Sequence, residues 1–234
     1  MILCFDFGNT RLKYALFDGL GICDTGILED LTFFSIKKVI GSKPISLIAI
    51  CSVIDIPEDL IESLRLKYPI HLIAKEDTRI LFSNYDSSTL GLDRIILAEA
   101  CLAKFPHQPC LCICLGTCIT FNLISATGEF MGGAISPGLI MRATSMSTFT
   151  DKLPLISLRV NFSSWGTDTN SNLNAGVMAG VLFEINGFIS DAKNRFPDLQ
   201  VILTGGDAEY FRDQYPVDMN LAWKGLISMC QRFN

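Results

Sequence analysis

The chain begins with an apolar run, Ile2-Leu3-Cys4-Phe5, that meets the polar segment Asp6-Phe7-Gly8-Asn9-Thr10. It resumes in Lys13, Tyr14, Ala15, Leu16 and Phe17 before Asp18-Gly19. That order reads as strand, tight glycine turn and second strand. The device recurs at Cys110-Leu111-Cys112-Ile113-Cys114-Leu115, which meets Gly116-Thr117 and continues in Cys118-Ile119-Thr120-Phe121-Asn122-Leu123-Ile124 to the turn at Thr127-Gly128. Aligned on their glycines, Gly8 matches Gly116 and Asn9 matches Thr117. Each turn opens one half of the chain, so any fold must accommodate two similar hairpins. Such hairpins can hold phosphate. Glycine lets backbone N–H groups approach an anion closely, Asn9 and Thr10 add neutral donors, and Asp6 can hold a metal ion that offsets phosphate charge. Two ordinary hairpins with polar turns would present the same residues.

A third element bears on the choice. Val201-Ile202-Leu203 runs into Thr204-Gly205-Gly206-Asp207, which reads as a buried strand ending in a glycine pair. Backbone there can pack flat against a nucleotide, although a plain strand-to-helix turn looks similar.

The chain has 234 residues, enough for one large domain or two small ones. With 49% hydrophobic and 18% charged residues it can bury a large core and is not a disordered chain. A net charge of −5 argues against general nucleic-acid binding, which wants a basic surface, but not against a phosphate ligand. Asp6 interrupts the first apolar run, which does not suit a signal peptide, and no apolar stretch reaches the ~20 residues of a membrane helix. The nine cysteines are an odd number, and many lie inside apolar runs. They suit buried thiols in a reducing cytoplasm, so a cytoplasmic protein without membrane or nucleic-acid partners is expected. Cys110, Cys112 and Cys114 alternate and would share one strand face. A metal site there would need a fourth ligand and a loop geometry that an apolar strand does not offer, and neither His71 nor His107 has ligand-like spacing.

Along the chain, a turn is expected at Gly41-Ser42-Lys43-Pro44, a strand over Ile45–Ile50, and a helix over Pro57–Lys67 with Leu60, Ile61 and Leu64 on one face. A short strand at Ile70–Ile73, a loop at Asn84–Ser88 and a helix over Asp93–Lys104 follow. Two prolines in Phe105-Pro106-His107-Gln108-Pro109 suggest the boundary between halves, residues 1–106 and 107–234. Met131–Gly138 reads as a glycine-rich turn segment and Leu139–Phe149 as a helix. Asn172–Asn194 reads as a long helix. Its Gly176, Gly180 and Gly187 each cost about 1 kcal/mol against alanine, which suggests close packing against something.

The motifs together resemble type III pantothenate kinase over nearly the whole chain. Asp6-x-Gly8-Asn9-Thr10-x-x-Lys13 resembles that family's first phosphate motif and Ser52-Val53 its short segment at a strand end. Gly91-Leu92-Asp93-Arg94 is similar to its Gly-x-Asp-Arg signature. Gly132-Gly133-Ala134-Ile135-Ser136-Pro137-Gly138-Leu139 resembles its Gly-Gly-x-Ile-x-Pro-Gly-Leu run. Thr150-x-x-Leu153-Pro154, Gly166-x-x-Thr169 and Thr204-Gly205-Gly206 follow in the same order. No single piece is specific, but their order and spacing together are.

The resemblance implies an α/β fold of two related halves, the duplicated actin-like ATPase fold shared with sugar kinases and heat-shock ATPases. It implies ATP-dependent phosphorylation of pantothenate to 4'-phosphopantothenate, the first step of coenzyme A biosynthesis, by a homodimer with sites at the subunit interface. Asp93 would be the catalytic base and Arg94 would bind the substrate carboxylate or a phosphate. Asp6, Gly8, Asn9, Thr10, Lys13, Gly116 and Thr117 would hold phosphates, with Mg²⁺ on Asp6. Gly205 and Gly206 would face adenosine. Tyr85, Gly91, Leu92 and Thr169 would line the pantothenate site. Simpler roles fit some of these residues: a helix N-cap for Asp93 or Thr169, a surface ion pair for Arg94, a loop aromatic for Tyr85.

One position departs from the family. An Asp linked with a monovalent cation, K⁺ or NH₄⁺, usually stands two residues before the glycine of the second phosphate motif. Here that residue is Cys114, a poor ligand for cations that prefer oxygen. This departure motivates an alternative, a non-catalytic nucleotide-binding accessory or regulatory relative.

Overall fold

The computed structural model describes residues 1–8 and 11–230, so Asn9 and Thr10 of the first turn lie outside the described residues. The chain forms two compact units that interleave along the sequence. The first comprises Met1–Arg79, Gly91–Ala100 and the stretch from Ala222; the second comprises Ile80–Leu90 and Cys101–Leu221.

The first unit is built on five strands: β1 (Ile2–Phe7), β2 (Leu12–Asp18), β3 (Gly21–Ile27), β4 (Leu47–Ser52) and β5 (Ile70–Leu72). Their spatial order is β3-β2-β1-β4-β5. β1 runs antiparallel to β2 and parallel to β4. Alternation along β1 sends Leu3, Phe5 and Phe7 to one face and Cys4 and Asp6 to the other. The phenylalanine face packs on helices α1 (Phe33–Ile40) and α2 (Glu58–Arg65) through Ile36, Leu60, Ile61 and Leu64. The Cys4 face packs on Ile96 of α3 (Leu92–Lys104) and on Leu226, Ile227 and Met229 of the last helix, whose range is Leu221–Cys230. That last helix crosses α3 backbone to backbone: a Cβ on Gly225 would stand 2.0 Å from the Ile96 carbonyl oxygen.

A buried carboxylate fixes α3 further. Glu99 is fully buried and accepts from the Thr78 hydroxyl at 2.8 Å, from the Arg79 backbone N–H at 2.9 Å and from Arg79 Nε at 2.5 Å. Arg79 Nη2 in turn donates to Ser228 Oγ at 2.7 Å. The Arg79 side chain is partly exposed, so solvent screens the pair, and it is the three hydrogen bonds to the buried Glu99 carboxylate that tie α3 to the segment before it.

The second unit is built on β6 (Cys110–Leu115), β7 (Cys118–Ile124), β8 (Phe130–Pro137) and β9 (Gln200–Thr204), in the order β8-β7-β6-β9. β6 pairs antiparallel with β7 and parallel with β9, and β7 pairs antiparallel with β8. Order and sense repeat the first four strands of the first unit. Leu111, Ile113 and Leu115 pack on Val177, Met178, Val181 and Ile185 of the long helix α5 (Thr169–Arg195) and on Leu139 and Ala143 of α4 (Leu139–Thr148).

Several expectations are corrected here. Met131–Gly138 is not a turn segment but most of β8, an edge strand. Its glycines hide the alternation. Gly132 sits at φ +120 beside a register shift at Leu123/Ile124, a bulge that only glycine enters without strain. β3 and α1 occupy a stretch that gave no clear signal. In β3 burial alternates on a half-exposed edge, and α1 is short, capped by Thr32, whose hydroxyl accepts from Ser35 N–H at 3.2 Å. The expected single cut at residue 106 gives way to interleaved units, because the last helix buries its apolar face in the first unit's core. Gly176, Gly180 and Gly187 have nothing within 4 Å of a Cβ position among the described residues, so any close packing against them is not made by those residues. α5 is also long and apolar enough to cross a membrane by length and composition, against the sequence expectation, but half of its most apolar window is buried inside the protein.

Candidate active site

The polar end of β1 gathers charge within the first unit. Asp6 lies in register with Lys13 on β2 and with Cys51 on β4. Burial pushes the Asp6 carboxyl above its usual range; Lys13 opposes the shift and the nearby Asp93 carboxylate adds to it. The Cys51 thiol, in register with Asp6, is pushed up to about 12, by burial first and by Asp6 and Asp93 next. The sequence-predicted Asp6, Lys13 and Asp93 are therefore brought together. The reason is local: Asp6 takes the face of β1 on which α3 packs, and Asp93 occupies the first turn of α3.

Gly91-Leu92-Asp93-Arg94 forms the entrance to α3. Arg94 and Ile95 donate backbone N–H groups to the Gly91 carbonyl at 3.1 and 3.3 Å. A Cβ on Gly91 would stand 2.4 Å from Asp93 Oδ1, so the carboxylate folds back over the glycine. Asp93 is exposed, whereas Arg94 is buried, which rules out the surface ion pair considered for it. Gly8 closes the first hairpin by donating its N–H to the Arg11 carbonyl at 3.1 Å.

The second hairpin is enclosed by backbone. Gly116 N–H donates to the Cys118 carbonyl at 3.1 Å, and Gly138 N–H donates to the Thr117 carbonyl at 3.0 Å. A Cβ on Gly138 would meet the Gly116 carbonyl oxygen at 2.1 Å. On the other side Gly205, at φ +92, would place a Cβ 2.2 Å from the Leu115 carbonyl oxygen. That oxygen accepts the Asp207 N–H at 3.1 Å. Gly206 faces open space. Thus Gly138 backs onto Gly116 and Thr117, and Gly205 backs onto Leu115, the residue before Gly116.

Cys114 occupies in β6 the place that Asp6 occupies in β1. Its register neighbours are Thr120 on β7 and Thr204 on β9, where Asp6 has Lys13 and Cys51. Among the described residues no group of three or more His, Cys, Asp or Glu could hold a metal ion.

The remaining predicted residues lie elsewhere in the second unit. Tyr85 is half-buried and packs edge-on against Phe130, with ring centroids 4.8 Å apart. Thr169 is the first residue of α5 and is exposed. The cap is Asp168, whose carboxylate accepts from Asn170 and Ser171 N–H groups at 2.9 and 3.1 Å. A cleft of about 880 Å³ opens beside this helix start, lined among others by Pro154, Arg159, Trp165 and Asn174.

Sequence reasoning placed no site role on Cys51, Gly138 or Asp207. Gly138 was legible as part of a glycine-proline run, and Asp207 as the residue after Thr204-Gly205-Gly206. Nothing local marked Cys51, because its place depends on the β1–β4 register.

These features describe an α/β protein whose two units repeat one strand order, each with a glycine turn after its first strand. The chain resembles, with a TM-score of 0.56 and 13% identity over 100% of its length and 99% of the other, a candidate N-acetylmannosamine kinase from Listeria monocytogenes. This likeness gives the fold as that of the actin-like ATPases. A candidate Baf family transcriptional activator from Campylobacter jejuni shares the fold at a TM-score of 0.64 and 20% identity, covering 99% of this chain and 98% of that one. Within that class the assignment is narrower. The family model for type III pantothenate kinase matches residues 2–191, and a type III pantothenate kinase of Flavobacterium johnsoniae is 37% identical over 213 residues, 90% of this chain and 87% of the relative. The chain belongs to the type III pantothenate kinase family.

Proposed function

We propose that this protein transfers the γ-phosphoryl group of ATP to the primary hydroxyl of pantothenate, giving 4'-phosphopantothenate, the first step of coenzyme A biosynthesis. Beyond family membership, one observation carries the reading: the exposed carboxylate of Asp93 stands at the first turn of α3, close enough to Asp6 to raise its carboxyl. Asp93 takes the hydroxyl proton as the oxygen attacks phosphorus. An alkanol is far too weak an acid to ionise beforehand, so positioning and charge neutralisation do most of the work. Arg94 holds the substrate carboxylate or a phosphate. Tyr85, Gly91, Leu92 and Thr169 contribute to the pantothenate site.

Gly8, Asn9, Thr10, Lys13, Gly116 and Thr117 bind phosphates, and Gly205 and Gly206 face adenosine. Mg²⁺ fits Asp6, where a partly buried carboxylate beside a second one gains from a divalent cation; Mg²⁺ bound with ATP supplies neutralisation of the phosphate charge. A monovalent cation does not fit Cys114, whose thiol stands between two threonines, and no step is assigned to one. A homodimer suits the exposed stripe of α5, where Phe183 is exposed among Gly176, Gly180 and Gly187 and none of the described residues covers the glycines.

The thiol at Cys114 also favours a second reading, a non-catalytic nucleotide-binding accessory protein. A coupled assay with ATP and pantothenate, with and without K⁺ or NH₄⁺, separates the two. Turnover that does not depend on the monovalent cation is the expected result, and a folded protein without turnover under any cation would support the accessory reading.

A further inference from the structure

The strand-to-helix junction that backs the Gly116-Thr117 turn cannot cap itself. Gly138 stands at the start of α4 and makes no side-chain cap, while its N–H donates to the Thr117 carbonyl at 3.0 Å. Helix starts usually carry Ser, Thr, Asp or Asn at this position, but a Cβ here would stand 2.1 Å from the Gly116 carbonyl oxygen. Pro137, the residue before, has no N–H with which to fix itself to a neighbour.

Arg142, one turn into α4, does what the junction cannot. Its backbone N–H donates to the Gly138 carbonyl at 3.0 Å. Its side chain folds back over the helix start, where Nε donates to the Pro137 carbonyl at 2.8 Å and Nη2 to the Ser136 hydroxyl at 3.3 Å. Nη2 also pairs with the Glu184 carboxylate of α5. Pro137 lies in register with Cys118 and Ser136 with Ile119, so the guanidinium clamps the two residues that flank the strand leaving the turn. The other end of the clamp is anchored well, because Val181 and Ile185 on either side of Glu184 are buried in the core of this unit.

Both side chains of the pair are partly exposed, so solvent screens their attraction. What the pair supplies is geometry. A planar guanidinium presents N–H groups to a carbonyl, a hydroxyl and a carboxylate from one rigid fork, which a flexible ammonium does not reproduce. With Nε and Nη2 committed to protein acceptors, Arg142 acts on the turn through Pro137 and Gly138.

We propose that Arg142 is a positioning residue for phosphoryl transfer: braced by Glu184, it fixes the Pro137-Gly138 backbone against the Gly116-Thr117 turn and so keeps that turn shaped for the phosphates of ATP. The proposal rests on the ATP-binding reading of that turn.

The test compares the full-length wild type with Arg142→Lys, Arg142→Gln and Glu184→Gln. KM is measured for ATP and for pantothenate separately, and ATP affinity is measured by calorimetry. In both Arg142 variants KM for ATP is expected to rise, and ATP affinity to fall, at least about tenfold, while KM for pantothenate stays within about twofold. Glu184→Gln, which keeps the size of the side chain and removes its charge, is expected to move both ATP quantities the same way by a smaller factor. Wild-type ATP affinity in Arg142→Lys would show that no fork is needed and would overturn the proposal. Equal rises in KM for ATP and pantothenate across the variants would also overturn it, since general loosening of the unit acts on both substrates. A folded wild type that binds no ATP would instead overturn the ATP-binding reading, and the proposal with it.

Discussion

Gly138 backs directly onto Gly116. Its N–H bonds the Thr117 carbonyl, and a Cβ in its place would stand 2.1 Å from the Gly116 oxygen and 2.6 Å from that of Thr117. The turn at the end of β6 is therefore held by backbone that tolerates no side chain. Gly138→Ala must displace the turn, and a displacement near 1 Å costs about 100-fold in catalysis where geometry is critical. We expect kcat/KM for ATP to fall by about that factor, together with a loss of stability on the overpacking scale of about 1–3 kcal/mol. Unchanged kinetics would show that this turn does not position phosphates.

Gly225 and Ile96 form the equivalent close contact in the first unit. A methyl group at Gly225 would meet the Ile96 carbonyl oxygen at 2.0 Å. Alanine is the better helix former by about 1 kcal/mol, but overpacking backbone against backbone costs about 1–3 kcal/mol or more. Gly225→Ala should lower the denaturant midpoint, with an unchanged slope. A midpoint equal to or above that of the wild type would contradict the packing described between the last helix and α3.

The raised carboxyl of Asp6 predicts a pH dependence. A carboxyl that is harder to ionise when folded stabilises the fold below its ordinary value, near pH 4, and that contribution is lost as pH rises through the higher folded value. Asp6→Asn removes the penalty. Without ligands the variant should melt above the wild type at neutral pH, and the difference should vanish below about pH 4. With Mg²⁺ and ATP present the order should shrink or reverse, because only the wild type offers the carboxylate. A variant that melts below the wild type at neutral pH without ligands would contradict the assignment.

Much of this was legible in the sequence because local chemistry marks it. The strands at Cys110–Leu115 and Cys118–Ile124 begin and end where the apolar runs meet glycine. Leu60, Ile61 and Leu64 bury together because helical periodicity places them on one face. What was hidden depends on partners distant in the chain. β8 looks like a turn because glycines at its bulge break the pattern, and only pairing with β7 makes it a strand. Cys51 joins the carboxylates through the parallel register of β1 and β4. Asp207 acquires its place from the glycine that lets its loop touch Leu115. Spacing alone could not say what Gly176, Gly180 and Gly187 pack against, since among the described residues nothing lies within 4 Å of their Cβ positions.

The central claim is most directly tested by following 4'-phosphopantothenate formed from ATP and pantothenate by the wild type and by Asp93→Asn. Asn keeps the size of the side chain and can still occupy the first turn of α3, so the variant should fold and bind ATP as the wild type does. The account predicts product from the wild type and a loss of about 100-fold or more in kcat for Asp93→Asn, the scale of a general base. No product from the folded wild type, or near-wild-type turnover by Asp93→Asn, would contradict it.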